Sequence, residues 1–206
     1  MAARRASSAI GRETRRWCFG SRLIFTALLA SAGSSFGAAE NYRIDPDHTY
    51  PSIEFSHMGI SIWRGKFDKT SGNVTIDRAS KTGTVEIVVQ TASLDFGLDK
   101  MNEYARKEEW FNVANYPQAT YNGTLRFAGD APVAVEGHLT LLGVTRPVQL
   151  TINSFNCIPH PLFKREVCGA DAEADLNWSD FGMRKYGEGD TDKVHLRIQV
   201  EALKQE

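Results

Sequence analysis

The chain has 206 residues, and its 24 Lys and Arg against 25 Asp and Glu give a formal net charge of −1. Six of the basic residues and one acidic residue lie before residue 40, so residues 40–206 carry a net charge of about −6. This net negative charge repels phosphate groups. It therefore argues against nucleic-acid binding, which needs a basic surface, and against general adhesion to anionic membranes.

Residues 1–39 are predicted to be a secretory signal peptide. A basic segment ends at Arg22, an apolar run extends from Leu23 to about Ala32, and small residues lead to Ala39, the predicted cleavage point. This order is typical of secretion signals, and the apolar run is about half of the roughly 20 residues that a membrane-spanning helix needs. The pair Arg15-Arg16 leaves export in the folded state as an alternative route. We expect residues 40–206 to form one soluble, secreted domain that does not span the membrane.

Alternation of apolar and polar residues dominates the chain after residue 40. Period-two runs of this kind predict half-buried strands. The runs lie at 42–44, 52–57, 73–77, 84–90, 120–127, 133–141, 148–153, 170–178 and 194–202. Turn-forming segments such as Ser71-Gly72 and 128–132 separate them. Eight or nine short strands with short connections predict an all-β protein, either an up-and-down barrel or a sandwich.

One segment breaks the alternation. Residues 98–111 are rich in charge and contain neither Gly nor Pro. This composition predicts a helix capped near Asp99, and Tyr116-Pro117 ends it before the next strand.

Two cysteines, Cys157 and Cys168, remain after the signal peptide. In an oxidising compartment such a pair usually forms a structural disulfide, which we predict here. The alternative is a redox-active pair, but the spacing is not that of a Cys-x-x-Cys motif.

The run at 170–178 places three alanines, Ala170, Ala172 and Ala174, on the same face as Leu176 and Trp178. A barrel of about eight strands is just wide enough to be filled by side chains or to hold one ligand. Small inward residues leave space for a ligand. The alternative is that a helix or a large aromatic side chain packs against them.

The sequence offers little catalytic chemistry. It contains no Gly-x-Ser-x-Gly elbow and no His-Glu-x-x-His motif, and the cysteines lack zinc-binding spacing. We therefore predict a protein that is not an enzyme and has no metal or cofactor. His57 shares the inward face of its strand with Ile53 and Phe55. It could contact a polar ligand group or hydrogen-bond within the core.

Several segments resemble landmarks of the YceI-like family over residues 41–204. They are Tyr42-Arg43-Ile44-Asp45-Pro46-Asp47-His48-Thr49, Ile53-Glu54-Phe55-Ser56-His57-Met58-Gly59, Arg64-Gly65-Lys66-Phe67, the segment 136–145, the Cys157 to Cys168 loop, and Asp180-Phe181-Gly182-Met183. The resemblance implies an eight-stranded, antiparallel, lipocalin-like β-barrel with one short helix inserted, exported to the bacterial periplasm. It also implies binding of a polyisoprenoid lipid, such as a quinone tail or a polyprenyl phosphate, and homodimer formation.

Residues 40–206 are thus expected to form a carrier that encloses an isoprenoid in an apolar tunnel. The predicted ligand-binding residues are Ile53, Phe55, His57, Tyr121, Leu125, Leu139, Ala172, Ala174, Trp178, Phe181, Leu196 and Ile198. Among them, His57 would contact the head group, and Trp178 and Phe181 would lie at the tunnel mouth. The alternative is a ligand-free periplasmic interaction module that partners a membrane protein such as a b-type cytochrome.

Overall fold

The computed structural model describes residues 38–183 and 191–206, so the predicted signal peptide up to residue 37 lies outside the described residues. The described strands are β1 (Glu40–Ile44), β2 (Tyr50–His57), β3 (Ser61–Phe67), β4 (Thr70–Asp77), β5 (Thr82–Gln90), β6 (Leu94–Asp95), β7 (Gln118–Ala128), β8 (Ala131–Leu141), β9 (Val144–Pro159), β10 (Glu166–Asn177) and β11 (Lys193–Lys204). A helix, α1, spans Asp99–Ala105, and short 3-10 turns lie at Thr91–Ser93 and Trp178–Phe181.

The strands form one antiparallel sheet that closes on itself. Neighbours follow the order β1-β4-β5-β7-β8-β9-β10-β11, and β11 pairs back with β1, where Ala202 opposes Ile44. The first half of β11 pairs with β2 instead, with Leu196 opposite Ile53. Because β2 continues the line of β1, and β3 continues that of β4, the result is a closed barrel of eight strand positions. The predicted eight-stranded antiparallel barrel is confirmed.

The connections define two ends of this barrel. The β4–β5, β7–β8 and β9–β10 turns lie at one end, which we call the hairpin end. The β2–β3 turn and the segment from β6 to Pro117 lie at the other, which we call the plugged end. Among the described residues, no helix has the length and hydrophobicity to cross a bilayer.

Strand β3 was absent from the sequence prediction. Its inward positions are Trp63, Gly65 and Phe67, so the glycine interrupts the apolar alternation. The glycine is required because a Cβ atom at Gly65 would lie 2.7 Å from Cε1 of Phe96. The residue that obscured the strand is therefore the one that lets the Phe96 ring pack against it.

The helix is shorter than the predicted span 98–111. Helix α1 ends at Ala105, and Leu98 occupies the cap position without a side-chain hydrogen bond, so Asp99 is the first helical residue rather than the cap. Beyond it the backbone turns tightly, with the amide of Phe111 donating to the carbonyl of Ala105 at 3.1 Å. This turn buries Trp110 and Phe111 together. A continued helix would direct adjacent side chains about 100° apart.

Candidate ligand-binding cavity

The interior of the barrel contains a cavity of about 200 Å³. Every one of the eight strand positions contributes side chains to its wall, and nearly all of these side chains are apolar. The cavity exists because inward positions on β10 carry small residues, among them Ala170 and Ala172, where neighbouring strands carry leucine, isoleucine and valine. Beside Ala170 and Ala172 the structure has the alternative with free space, whereas Ala174 is buried without lining the cavity.

Most of the predicted ligand-binding residues come together on this wall. Ile53, Tyr121, Leu125, Leu139, Ala172, Trp178, Leu196 and Ile198 all line the cavity. Each sits at an inward position of a strand or, for Trp178, in the turn that follows β10. The alternation of the sequence identified these positions because successive side chains of a strand point to opposite faces of the sheet.

Four predicted residues lie elsewhere. Phe55 and Phe181 are buried beyond the cavity at the plugged end, and Ala174 is buried on β10 opposite Leu196 without reaching the cavity wall. His57 ends β2 and packs edge-on against Trp63, with ring centroids 5.3 Å apart. Phe55, His57 and Ala174 have the inward parity of their strands but lie outside the stretch of the barrel that the cavity occupies. Phe181 lies in the 3-10 turn after β10.

An aromatic cluster closes the plugged end. We call it the aromatic plug, and its members are Phe55, Trp63, Phe96, Trp110, Phe111 and Trp178. Ring centroids are 5.5 Å apart for Phe55 and Trp110 and 5.7 Å apart for Phe111 and Trp178, in edge-on arrangements typical of stable aromatic pairs. Trp178 is only 2% exposed and Phe181 only 1%. Both therefore belong to the closed end, whereas the sequence prediction placed them at the mouth.

Sequence reasoning missed other wall residues. Those on strands, such as Ile44, Ile76, Ile87 and Val148, share the inward parity and could have been found by the same signal. Phe111 could not, because it reaches the cavity from an irregular segment that was predicted to be helical.

The polar atoms of the wall are few and mostly satisfied. The hydroxyl of Tyr121 donates to the carbonyl of Val148 at 2.8 Å, and burial raises the pKa of Tyr121. The hydroxyl of Thr49 donates to the carbonyl of Glu201 at 3.1 Å. Thr70 differs, because its Oγ1 is buried at the wall with no hydrogen-bond partner in the part of the chain that the structure describes. No Asp, Glu, Lys, Arg or His in these residues lines the cavity.

A charged network lies at the hairpin end. Arg78 pairs with Glu40 and, through Nη2, with Oε1 of Glu166 at 2.8 Å, and Lys204 pairs with Glu40 at 2.5 Å. The wall residue Tyr42 donates its hydroxyl to Glu166. Burial and this hydrogen bond raise the pKa of Tyr42. Against the effect of burial, the bonds from Tyr42 and Arg78 lower the pKa of Glu166. The two cations of this network, which adjoins the wall residue Tyr42, are thus already neutralised by carboxylates.

The predicted disulfide between Cys157 and Cys168 is present. It joins β9 to β10 at directly opposed positions, and Nη2 of Arg78 lies 3.5 Å from Sγ of Cys157. Cys168 is also part of the cavity wall. The disulfide therefore braces the barrel where the cavity meets the charged network.

Comparison with known proteins places this fold in a family. Residues 42–202 match the YceI-like domain. The chain is 30% identical to the protein YceI of Escherichia coli over 186 residues, which cover 89% of this chain and 96% of that one. The crystal structure of BcnA from Burkholderia cenocepacia superposes with a TM-score of 0.62 at 24% identity, covering 77% of this chain and 98% of that one. A structure described as a polyisoprenoid binding domain from Saccharophagus degradans superposes with a TM-score of 0.58 at 17% identity, covering 80% and 98%.

Proposed function

Because this chain belongs to the YceI-like family, we propose that it is a carrier that holds a polyisoprenoid lipid with an uncharged head group inside its barrel. The observation that carries the proposal is the cavity inside the barrel, whose described wall is apolar and free of charged side chains. The likeness to a polyisoprenoid binding domain supports the same class of ligand. We propose binding rather than catalysis, and an exported, periplasmic location that suits the disulfide.

The driving force for binding would be burial of the ligand's apolar surface. Removing such surface from water contributes about 25 cal/mol per Å² to the free energy of binding, so an apolar wall needs few specific contacts with the ligand. The cavity of about 200 Å³ exceeds the roughly 150 Å³ of an engineered apolar cavity that binds benzene. A long isoprenoid chain therefore requires that wall side chains move apart or that part of the chain extends past the rim.

The lack of charged side chains on the described wall favours an uncharged head group over a charged one. A phosphate placed in this cavity would lose its hydration without gaining a cation, which is strongly unfavourable. The cations of the network beside the wall residue Tyr42, Arg78 and Lys204, already pair with Glu40 and Glu166. The hydroxyl of the wall residue Thr70 has no partner among the described residues, but it is shielded from the cavity. A rotation about χ1 would be needed before it donates to a carbonyl or accepts from a hydroxyl of a ligand. A quinone-type isoprenoid therefore fits the interior better than a polyprenyl phosphate.

The proposal is tested by isolating the protein with its natural ligand. Residues 40–206, exported to a bacterial periplasm and purified without detergent, are extracted with organic solvent, and the extract is analysed by mass spectrometry. We expect a neutral isoprenoid in about equimolar amount. An extract without lipid from folded, oxidised protein would contradict the carrier function and favour the interaction module.

A matched pair of variants locates the ligand. Ala172→Trp places a large ring at the cavity wall, whereas Ala128→Trp adds the same ring at an exposed position at the end of β7. We expect the first variant to lose the bound lipid and the second to retain it, with both giving the β-sheet circular dichroism of the parent. Equal lipid content in the two variants would place the ligand outside this cavity.

A further inference from the structure

The turn between β9 and β10 displays apolar side chains to solvent. We call residues 158–165 the β9–β10 tip. Leu162 is 78% exposed, Phe163 56% and Ile158 50%. Single exposed apolar residues are common on protein surfaces, but a contiguous group marks a site of interaction with another apolar surface.

The tip holds these side chains in a defined arrangement. The His160 ring stacks on the Phe163 ring with centroids 4.5 Å apart. Its Nδ1 accepts hydrogen bonds from the amides of Leu162 and Phe163 at 3.1 and 3.2 Å. The amide of His160 donates to the carbonyl of Arg165 at 2.7 Å. Because these bonds and the disulfide beneath them fix the turn, the exposure of Leu162 and Phe163 belongs to the folded conformation.

Two cations directly follow the apolar pair in sequence. Lys164 is exposed, Arg165 is half-buried, and neither forms an ion pair within residues 38–183 and 191–206. Apolar and aromatic side chains beside Lys and Arg are typical of segments that lie in the membrane interface, where long cationic side chains reach the phosphates. Each such cation strengthens attraction to an anionic leaflet about fivefold.

The hairpin that carries the tip also forms part of the cavity wall. Phe155 on β9 and Cys168 and Gly169 on β10 belong to the same hairpin, and all three line the cavity wall. The hairpin end is also opposite the aromatic plug. A surface that holds this tip would therefore face the end of the barrel that the plug does not close.

We propose that the β9–β10 tip docks this protein on a lipid bilayer. Leu162 and Phe163 enter the interface between head groups and acyl chains, while Lys164 and Arg165 contact the lipid phosphates. The net charge of about −6 on residues 40–206 opposes adhesion of the whole surface, so docking is confined to this tip. Docking stands independently of the bound ligand, and only its use as a route for lipid into the cavity rests on the proposed function.

A second exposed apolar turn provides the contrast. Met58 and Ile60, between β2 and β3, are 75% and 80% exposed. They lie at the plugged end, and the nearby cation Arg64 is paired with Glu54 at 3.1 Å. This turn therefore matches the β9–β10 tip in exposed apolar side chains but lies at the other end of the barrel. It also lacks the tip's two cations that have no ion pair among the described residues.

Vesicle sedimentation tests the proposal. Residues 40–206 with the disulfide intact are mixed with vesicles of phosphatidylethanolamine and phosphatidylglycerol at 3:1, and the bound fraction is measured against lipid concentration. We expect Leu162→Ser/Phe163→Ser to weaken binding about tenfold or more, since two apolar side chains no longer leave water. The matched variant Met58→Ser/Ile60→Ser should bind like the parent. Lys164→Gln/Arg165→Gln should weaken binding to these vesicles about tenfold or more and have little effect on vesicles of phosphatidylcholine.

Several results would overturn docking. They are a parent protein that does not sediment with vesicles, equal binding of the parent and Leu162→Ser/Phe163→Ser, or loss of binding only in Met58→Ser/Ile60→Ser. Sedimentation velocity could instead show that the parent is a dimer and that Leu162→Ser/Phe163→Ser is a monomer. In that case the tip binds a second copy of this chain rather than lipid. Mass spectrometry of the purified protein is read separately, because a lipid-free protein that still binds vesicles would contradict the carrier function and leave docking intact.

Discussion

The indole of Trp178 meets the ring of Phe111 edge-on, with centroids 5.7 Å apart, and both side chains form part of the cavity wall. Trp178 follows the last residue of β10, whereas Phe111 comes from the irregular segment after α1. One contact therefore joins the barrel to the segment that plugs it. The closed end of the cavity therefore depends on both Trp178 and Phe111.

Removal of the Phe111 ring should destabilise the fold and lengthen the cavity. We expect Phe111→Ala to lower the free energy of unfolding by about 3–5 kcal/mol, the usual cost of truncating a buried aromatic side chain. Urea unfolding followed by tryptophan fluorescence measures the change. Phe163→Ala, at an exposed position, is the control and should change stability by no more than about 0.5 kcal/mol. A similar small effect for Phe111→Ala would contradict its role in the plug.

Replacement of Thr70 should lower the affinity for a ligand without lowering the stability of the ligand-free protein. In the ligand-free protein we expect Thr70→Val to leave stability unchanged or raise it, because the lost hydroxyl has no partner. Affinity for a short-chain quinone, measured by fluorescence quenching, should fall about three- to tenfold, as one hydrogen bond is removed. Thr70→Ser keeps a hydroxyl and should bind more tightly than Thr70→Val. Equal affinities for the two variants would exclude a hydrogen bond from this residue.

Loss of the disulfide should weaken the whole domain. The loop between Cys157 and Cys168 spans 11 positions, for which chain entropy predicts a loss of about 2–3 kcal/mol in the free energy of unfolding. The double variant Cys157→Ala/Cys168→Ala is compared with the parent in urea, with and without reductant. Reductant should destabilise the parent and have no effect on the variant. An unchanged unfolding midpoint in the reduced parent would contradict this expectation.

Stability should fall in acid partly through Glu166. Although burial opposes it, the bonds from Tyr42 and Arg78 keep the pKa of Glu166 below its ordinary value of 4.5. A carboxyl group whose pKa is lowered by folding stabilises the protein above its unfolded pKa, and this contribution is lost as the pH falls through the folded pKa. Urea unfolding between pH 6 and pH 3 should therefore show a smaller loss of stability for Glu166→Gln than for the parent. Identical pH profiles would show that the network does not couple to folding.

The alternation of apolar and polar side chains was enough to predict most strands of this protein and which face of each strand is buried. Because each strand exposes one face and buries the other, the runs around Tyr121, Ala172 and Leu196 identified both the strands and residues of the cavity wall. The two cysteines left after the predicted signal peptide likewise predicted the disulfide, because such a pair usually forms one in an oxidising compartment. Local pattern was sufficient wherever the question was which face of a strand a residue occupies.

Tertiary structure decided the level at which each inward residue lies. Phe55 and Leu196 have the same parity, but the pairing of β2 with β11 sets Leu196 opposite Ile53 on the cavity wall. Phe55 lies two residues beyond Ile53, in the aromatic plug. Phe111 reached the wall because the chain turns sharply after Ala105 to bury two aromatic rings. Closure of the sheet and packing of distant segments set these positions, and neither depends on the sequence of a single strand.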